Sequence, residues 1–139
     1  KYLIILLVLL IIGSVMFWFW QRPDKPNRFE GTLKEVKVNS ILVQGQYTVD
    51  REKGSKELMI LEIKIDQSTR IIRNSFIFPK GEGMVKMDEL PKKESQVNFE
   101  TLKNDSKRSA IGLFVDLTWD ILGYTKPMAK EVRYLVPEP

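Results

Sequence analysis

The side chains that most often do chemistry near neutral pH are missing from this sequence: it contains no histidine and no cysteine. The imidazole base, the thiolate nucleophile and the usual zinc ligands are therefore excluded. Carboxylates, serines and lysines remain. Asp116 and Asp120 lie four apart and would share one face of a helix, as an acid–base pair might, although solvation of that face explains them more simply. Ser55-Lys56 and Ser106-Lys107 bring a hydroxyl next to an amine, but a lysine acts as a base only when desolvated, and their polar flanks offer no such pocket. Gly81-Glu82-Gly83 lacks the following helix and lysine of a phosphate loop and reads as a plain loop. Asn104-Asp105-Ser106 matches the N-glycosylation pattern, which matters only in a eukaryotic secretory pathway. No catalytic residue, cofactor or metal ligand is assigned, and the chain is expected not to be an enzyme.

The elements that would carry a function begin with Tyr2 to Trp20, YLIILLVLLIIGSVMFWFW, a run without a charged side chain. As a helix it would be about 28 Å long, close to the ~30 Å hydrocarbon core of a bilayer. A signal peptide has a shorter apolar region and ends at small residues. This run ends in Phe17-Trp18-Phe19-Trp20 followed by Gln21-Arg22, which suits the headgroup boundary. Residues 1–20 are therefore expected to be a transmembrane helix, with Leu3, Leu7, Leu10, Phe17, Trp18 and Trp20 as anchor residues in lipid. Lys1 against Arg22, Lys25 and Arg28 would place the chain beyond Trp20 in the cytoplasm, but residues upstream of Lys1 could reverse that count. The expected arrangement is an anchor with its N-terminus inside and the globular part outside the cytoplasm. The net charge of +4 is modest, and lysines alternate with acids, as in Lys34-Glu35 and Lys92-Lys93-Glu94. Nucleic acid, which needs a basic stripe, is not an expected partner.

Residues 21–27 form a linker in which Pro23 and Pro26 favour extended backbone. The remainder, 28–139, is about the size of one ordinary domain. Its pattern is that of strands. Phe29, Leu33, Val36 and Val38 are followed by Ile41, Val43, Tyr47 and Val49, with Asn39-Ser40 as the turn of a hairpin. Gly31 and Gly45 interrupt the two runs where a small barrel would coil sharply or bulge. Leu58 to Asp66 alternates as a third strand after the polar loop Asp50 to Lys56. Further strands are expected at Arg70 to Phe78, Gln96 to Leu102 and Glu131 to Val136, with a helical turn at Met87 to Leu90. Leu33, Val36, Val43, Ile60, Ile63, Ile65, Val97, Phe99 and Val132 should be buried, and Lys34, Lys37, Glu62, Lys64 and Arg133 should face solvent.

The order Phe29-x-Gly31-x-Leu33-x-x-Val36-x-x-Asn39-Ser40-Ile41-x-Val43-x-Gly45, then Leu61-x-Ile63-x-Ile65-Asp66-x-Ser68-Thr69-x-Ile71 and Ala129-x-Glu131-Val132-x-Tyr134, resembles a family of bacterial OB-like β-barrel domains often found behind a single membrane anchor. The resemblance covers about 80 residues and implies a cell-envelope location and a mainly β fold, an OB-like barrel of five or six strands behind one transmembrane helix. It supplies no catalytic residues. Where that pattern has a glycine before the Val97 strand, this chain has Glu94-Ser95-Gln96.

The chain also carries a long insert, 104–128, before its last strand. Ala110, Leu113, Phe114, Leu117 and Ile121 would share a helix face, while Ile111, Leu113, Val115, Leu117, Trp119 and Ile121 would share a strand face. A helix is preferred, capped by Ser109 and ended by Gly123. Phe114, Trp119, Leu122 and Tyr124 are the expected partner-binding residues, against the plainer reading that they pack the barrel's open end. Three functions fit: a non-catalytic anchored subunit of an extracytoplasmic assembly; a pilin-like subunit with the N-terminal helix in a filament core, although Ile5 stands where type IV pilins carry glutamate; and a ligand-binding module, for which exposed stacking aromatics are few. The first is the leading expectation, with a protein partner or self-assembly.

Overall fold

A computed structural model describes residues 2–20, 26–77, 90–120 and 126–137; the side chains of Leu3, Leu6, Trp18, Phe19 and Trp20 lie outside the description. Helix α1 runs from Tyr2 to Trp20 without interruption. Its one hydroxyl with a described bond, on Ser14, donates back to the Ile11 carbonyl at 2.9 Å, which satisfies a polar group inside an apolar helix. Among the described residues no helix is long and apolar enough to cross a membrane. The side chains of α1 are described without a break only from Leu7 to Phe17.

The remaining elements are β1 (Arg28–Val36), β2 (Ser40–Tyr47), α2 (Thr48–Glu52), β3 (Met59–Lys64), β4 (Arg70–Phe76), β5 (Lys92–Val97), α3 (Phe99–Ser106), β6 (Gly112–Thr118) and β7 (Met128–Pro137). The seven strands form one sheet in the order β3-β2-β1-β6-β7-β4-β5. The sheet bends back on itself, because Lys64 of β3 also pairs with Met128 of β7 in parallel and its N–H donates to the Pro127 carbonyl at 2.9 Å. Five strands thus make a ring, and β4 with β5 extends from β7 as an arm.

Tight coiling of the β1–β2 hairpin explains Gly31 and Gly45. They face each other in the ladder, and a Cβ on either would lie 2.7 Å from the other's Cα. No side chain fits there. Bulges shift the register between Leu33 and Glu35 and between Asp116 and Leu117, adding local twist. The interior is one apolar cluster that includes Phe29, Ile41, Val43, Ile63, Leu113, Val115, Val132 and Tyr134, and the Phe29 and Tyr47 rings meet edge to face at 5.1 Å. Helix α3 closes one end of it with the fully buried Leu102.

Three expectations are corrected. The preferred helix over 110–122 falls on strand β6 (Gly112–Thr118), the central link between β1 and β7, so that stretch belongs to the ring and is not an insert to it. The two-residue period won because Leu113, Val115 and Leu117 face the core from a position that needs hydrogen bonds on both edges, and Gly112 weakens a helix. The strand over 96–102 ends at Val97. Asn98 then caps α3, its Oδ1 accepting the Thr101 N–H at 2.9 Å, so Phe99 is helical and only partly buried. Ile60 is 65% exposed, because it shares the parity of Glu62 and Lys64 and points outward. Among the described residues the sheet has seven strands, five in the ring and two in the arm. Leu33, Val43, Ile63, Ile65 and Val132 are buried, and Val36 and Val97 are partly so. The turn expected at 87–90 falls mostly outside the described residues.

Candidate functional site on the outer face of the sheet

Strand pairing sets two rows of outward side chains beside each other. In the first row Gln46, Glu30, Phe114 and Arg133 are neighbours across β2, β1, β6 and β7. In the second, two acids lie between two arginines: Arg28, Asp116, Glu131 and Arg70 are neighbours across β1, β6, β7 and β4. Arg28 Nε meets Asp116 Oδ1 at 2.8 Å and Arg70 meets Glu131 at 3.4 Å. The arginines of both pairs are solvent-exposed, so each pair is worth about 1 kcal/mol or less and orients side chains more than it stabilises the fold. Phe114, 45% exposed, sits where the two rows meet.

Beside the first row a groove of about 380 Å³ runs over β2, β1 and β6, lined by Thr32, Gln44, Gln46, Leu58 and Phe114 among others. Glu30 lies at its floor and is held by Arg51 of α2 at 2.8 Å. The Gln46 Oε1 and Thr48 Oγ1 atoms are buried without a hydrogen-bond partner, so a donor or a water entering there would satisfy them. The chemistry of the groove is that of an amphipathic binding surface: amide acceptors and donors between Leu58 on one rim and Phe114 on the other.

On the inner side, β4, β7 and α3 share a polar lock. The fully buried Tyr134 hydroxyl donates to Asp105 Oδ2 at 2.8 Å, and Arg73 Nε donates to the same oxygen at 2.9 Å. Burial and then the bond to Asp105 push the Tyr134 hydroxyl far above the ordinary tyrosine value, so it stays a neutral donor. At the ring's closure, Glu62 accepts from Ser40 Oγ at 2.9 Å and also contacts Lys126 and Lys37. The bonds from Lys126 and Ser40 hold its carboxyl down at about 2.

Of the partner-binding residues expected from the sequence, Phe114 and Trp119 do not share a face. Phe114 faces out, whereas Trp119 has the inward parity, packs against the core, and donates its indole N–H to the Pro26 carbonyl at 2.9 Å. Leu122 and Tyr124 lie outside the described residues. Of the residues expected to anchor the chain, Leu7, Leu10 and Phe17 are exposed on α1; Leu3, Trp18 and Trp20 are on the helix, but their side chains are not described. Asp116 and Asp120 are not a pair: Asp116 is engaged by Arg28 on β6, and Asp120 follows the strand. Ser106 Oγ donates to the Lys103 carbonyl at 2.7 Å and Ser55 Oγ accepts the Glu57 N–H at 3.3 Å, neither meeting a lysine amine. Gly81 to Gly83 lies outside the described residues, and Asn104 to Ser106 belong to α3. Among the described residues no group of acids could hold a metal ion. The sequence reading missed Leu58 and Ile60. The signal was present, because four successive apolar residues at 58–61 cannot all face inward in a strand of period two. No protein family, characterised protein or solved structure matches the chain.

Proposed function

We propose that the chain is a single-pass, membrane-anchored, non-catalytic interaction subunit whose OB-like barrel stands on the extracytoplasmic side and binds a protein partner. The observation that carries this reading is α1: a continuous helix from Tyr2 to Trp20 in which each described side chain is exposed, Leu10 by 66%. A helix that is apolar all round needs lipid or other helices around it. Counted over the full run in the sequence, its length matches a bilayer core and its aromatic end matches the interface. The barrel reading is supported by connectivity: β1-β2-β3-β7-β6 closes with β1 and β6 antiparallel and β3 and β7 parallel, as in OB-type barrels, with β4 and β5 as an added hairpin.

The test is membrane retention of the full chain. Leu7→Lys with Leu10→Lys should release it into the soluble fraction on carbonate washing, since each central charge costs on the order of 3 kcal/mol on insertion scales. Retention equal to wild type would overturn the anchor. The chain's lack of cysteine makes sidedness simple to read: Lys53→Cys, in an exposed turn, should react with a membrane-impermeant maleimide from outside intact cells, and labelling only after lysis would place the domain in the cytoplasm.

A further inference from the structure

Among the described residues the ring is joined at β3 through Lys64 alone, and most of that strand has one edge without a described ladder partner. In the antiparallel ladder with β2, the Lys64 N–H points away from β2 to Pro127. Alternation therefore points the backbone groups of Ile60 and Glu62 the same way, while those of Met59, Leu61 and Ile63 are paired with β2. Among the described residues nothing bonds to the Ile60 and Glu62 amides. The side chains along this edge are the wrong ones for a protected edge: Leu58, Met59 and Ile60 are all exposed. Proteins normally blunt such edges with charge, proline or a bulge.

We propose that the β3 edge is a strand-addition site, which takes an extended segment of a partner protein with alternating apolar residues and carboxylates toward its ends. A row of unpaired amide and carbonyl groups is recognised by another extended backbone. Charge selects the ends: Lys56 and Lys64 are exposed, bracket the apolar centre and have no ion-pair partner among the described residues. A second copy fits badly. Antiparallel pairing centred on Ile60 would set Lys56 of one copy opposite Lys64 of the other, and like charges directly opposite are unfavourable. This inference rests on the interaction reading above and supplies its partner chemistry.

The probe is a short peptide of alternating valine and threonine with a glutamate at each end, added to the full chain in detergent while amide hydrogen exchange is followed. The Ile60 and Glu62 amides should slow at least about tenfold, as for amides entering a ladder. Ile60→Pro, which removes an N–H that β2 does not use, should weaken the probe at least about tenfold. As a control that leaves the protein untouched, the probe N-methylated on its β3-facing edge should not bind. Binding that leaves Ile60 and Glu62 unprotected, or that survives N-methylation, would overturn strand addition. Equal binding of a lysine-ended probe would overturn the acidic assignment. Concentration-dependent protection without probe would assign the edge to a second copy. The outcome is separable from the anchor: probe binding can fail with carbonate-resistant retention intact, and the reverse.

Discussion

The two edges of this sheet are built on opposite rules. Strand β5 ends the arm with Lys92, Lys93, Glu94, Ser95 and Gln96, polar side chains that make pairing with another chain costly, and Lys92 further lies 5.7 Å over the Phe76 ring. Strand β3, at the other end of the strand order, presents Met59 and Ile60 to solvent, and Leu58 just before it is exposed as well. Among the described residues both strands use only one side of their backbone for most of their length. An unguarded apolar edge is an aggregation hazard unless another segment covers it, and the proposed strand addition would cover β3. The protection of β5 shows that its sequence meets the problem where pairing is unwanted.

The contrast between the two edges requires β3 to be held rigidly by its neighbours, and removing that support should have the largest effect. Gly45→Ala places a Cβ 2.7 Å from the Gly31 Cα and closer still to the Glu30 carbonyl. Backbone must move, and overpacking of this kind should cost about 3 kcal/mol. Urea unfolding should show a midpoint lowered accordingly, and amide exchange should speed up first in β2 and β3 while the β4–β5 arm lags. An unchanged midpoint would mean that the hairpin has slack, and the picture of a preformed edge would fail with it.

Much of this architecture is legible in the sequence where a single signal acts alone. The β1–β2 hairpin, β3, β4 and β7 follow from alternation and from Asn39-Ser40, and the glycine pair marks the sharp coil. Legibility fails where two signals compete. Residues 110–122 satisfy both a helical and a strand period, and the need for a strand between β1 and β7 is a property of the sheet, invisible in a local window. At 96–102 the apolar Val97 and Phe99 suggest a continuing strand, although Asn98 with Thr101 three residues on is a serviceable helix start. The open edge is the hardest to read. Hydrophobicity alone assigns Ile60 to the core, whereas parity with Glu62 and Lys64 sends it outward. The same local reading brings Phe114 and Trp119 together on a helix; in the strand they have opposite parity, and only Phe114 faces the groove.

Exchanging the character of the two edges should change association and leave folding almost untouched. Ile60→Lys gives β3 the chemistry of β5, and Lys93→Ile with Gln96→Ile gives β5 that of β3; all three positions are exposed, and none of these side chains makes an ion pair among the described residues. Folding stability should stay within about 0.5 kcal/mol in each case. The β3 variant should lose affinity for the valine–threonine probe, and the β5 variant should gain concentration-dependent association in sedimentation. If the β5 variant stays as monodisperse as wild type, side-chain polarity does not distinguish the edges, and shape or neighbouring segments must.

The smallest effect lies at the closed end of the same strand. Glu62 is gripped by Lys126 and Ser40, and its folded carboxyl value is about 2 against an ordinary 4.5. A depressed carboxylate contributes stability that is fully present above about pH 4.5 and is lost as pH falls toward about 2. Glu62→Gln should therefore be less stable than wild type near pH 6, and the gap between the two should narrow by about pH 3. Because these contacts are solvent-accessible, the gap should also shrink in high salt. A gap independent of both pH and salt would show that Glu62 acts through packing. That result would bear on the comparison directly: charge would then close neither end of β3, and the contrast between a clamped terminus at Lys64 and an open run from Leu58 to Glu62 would rest on backbone pairing alone.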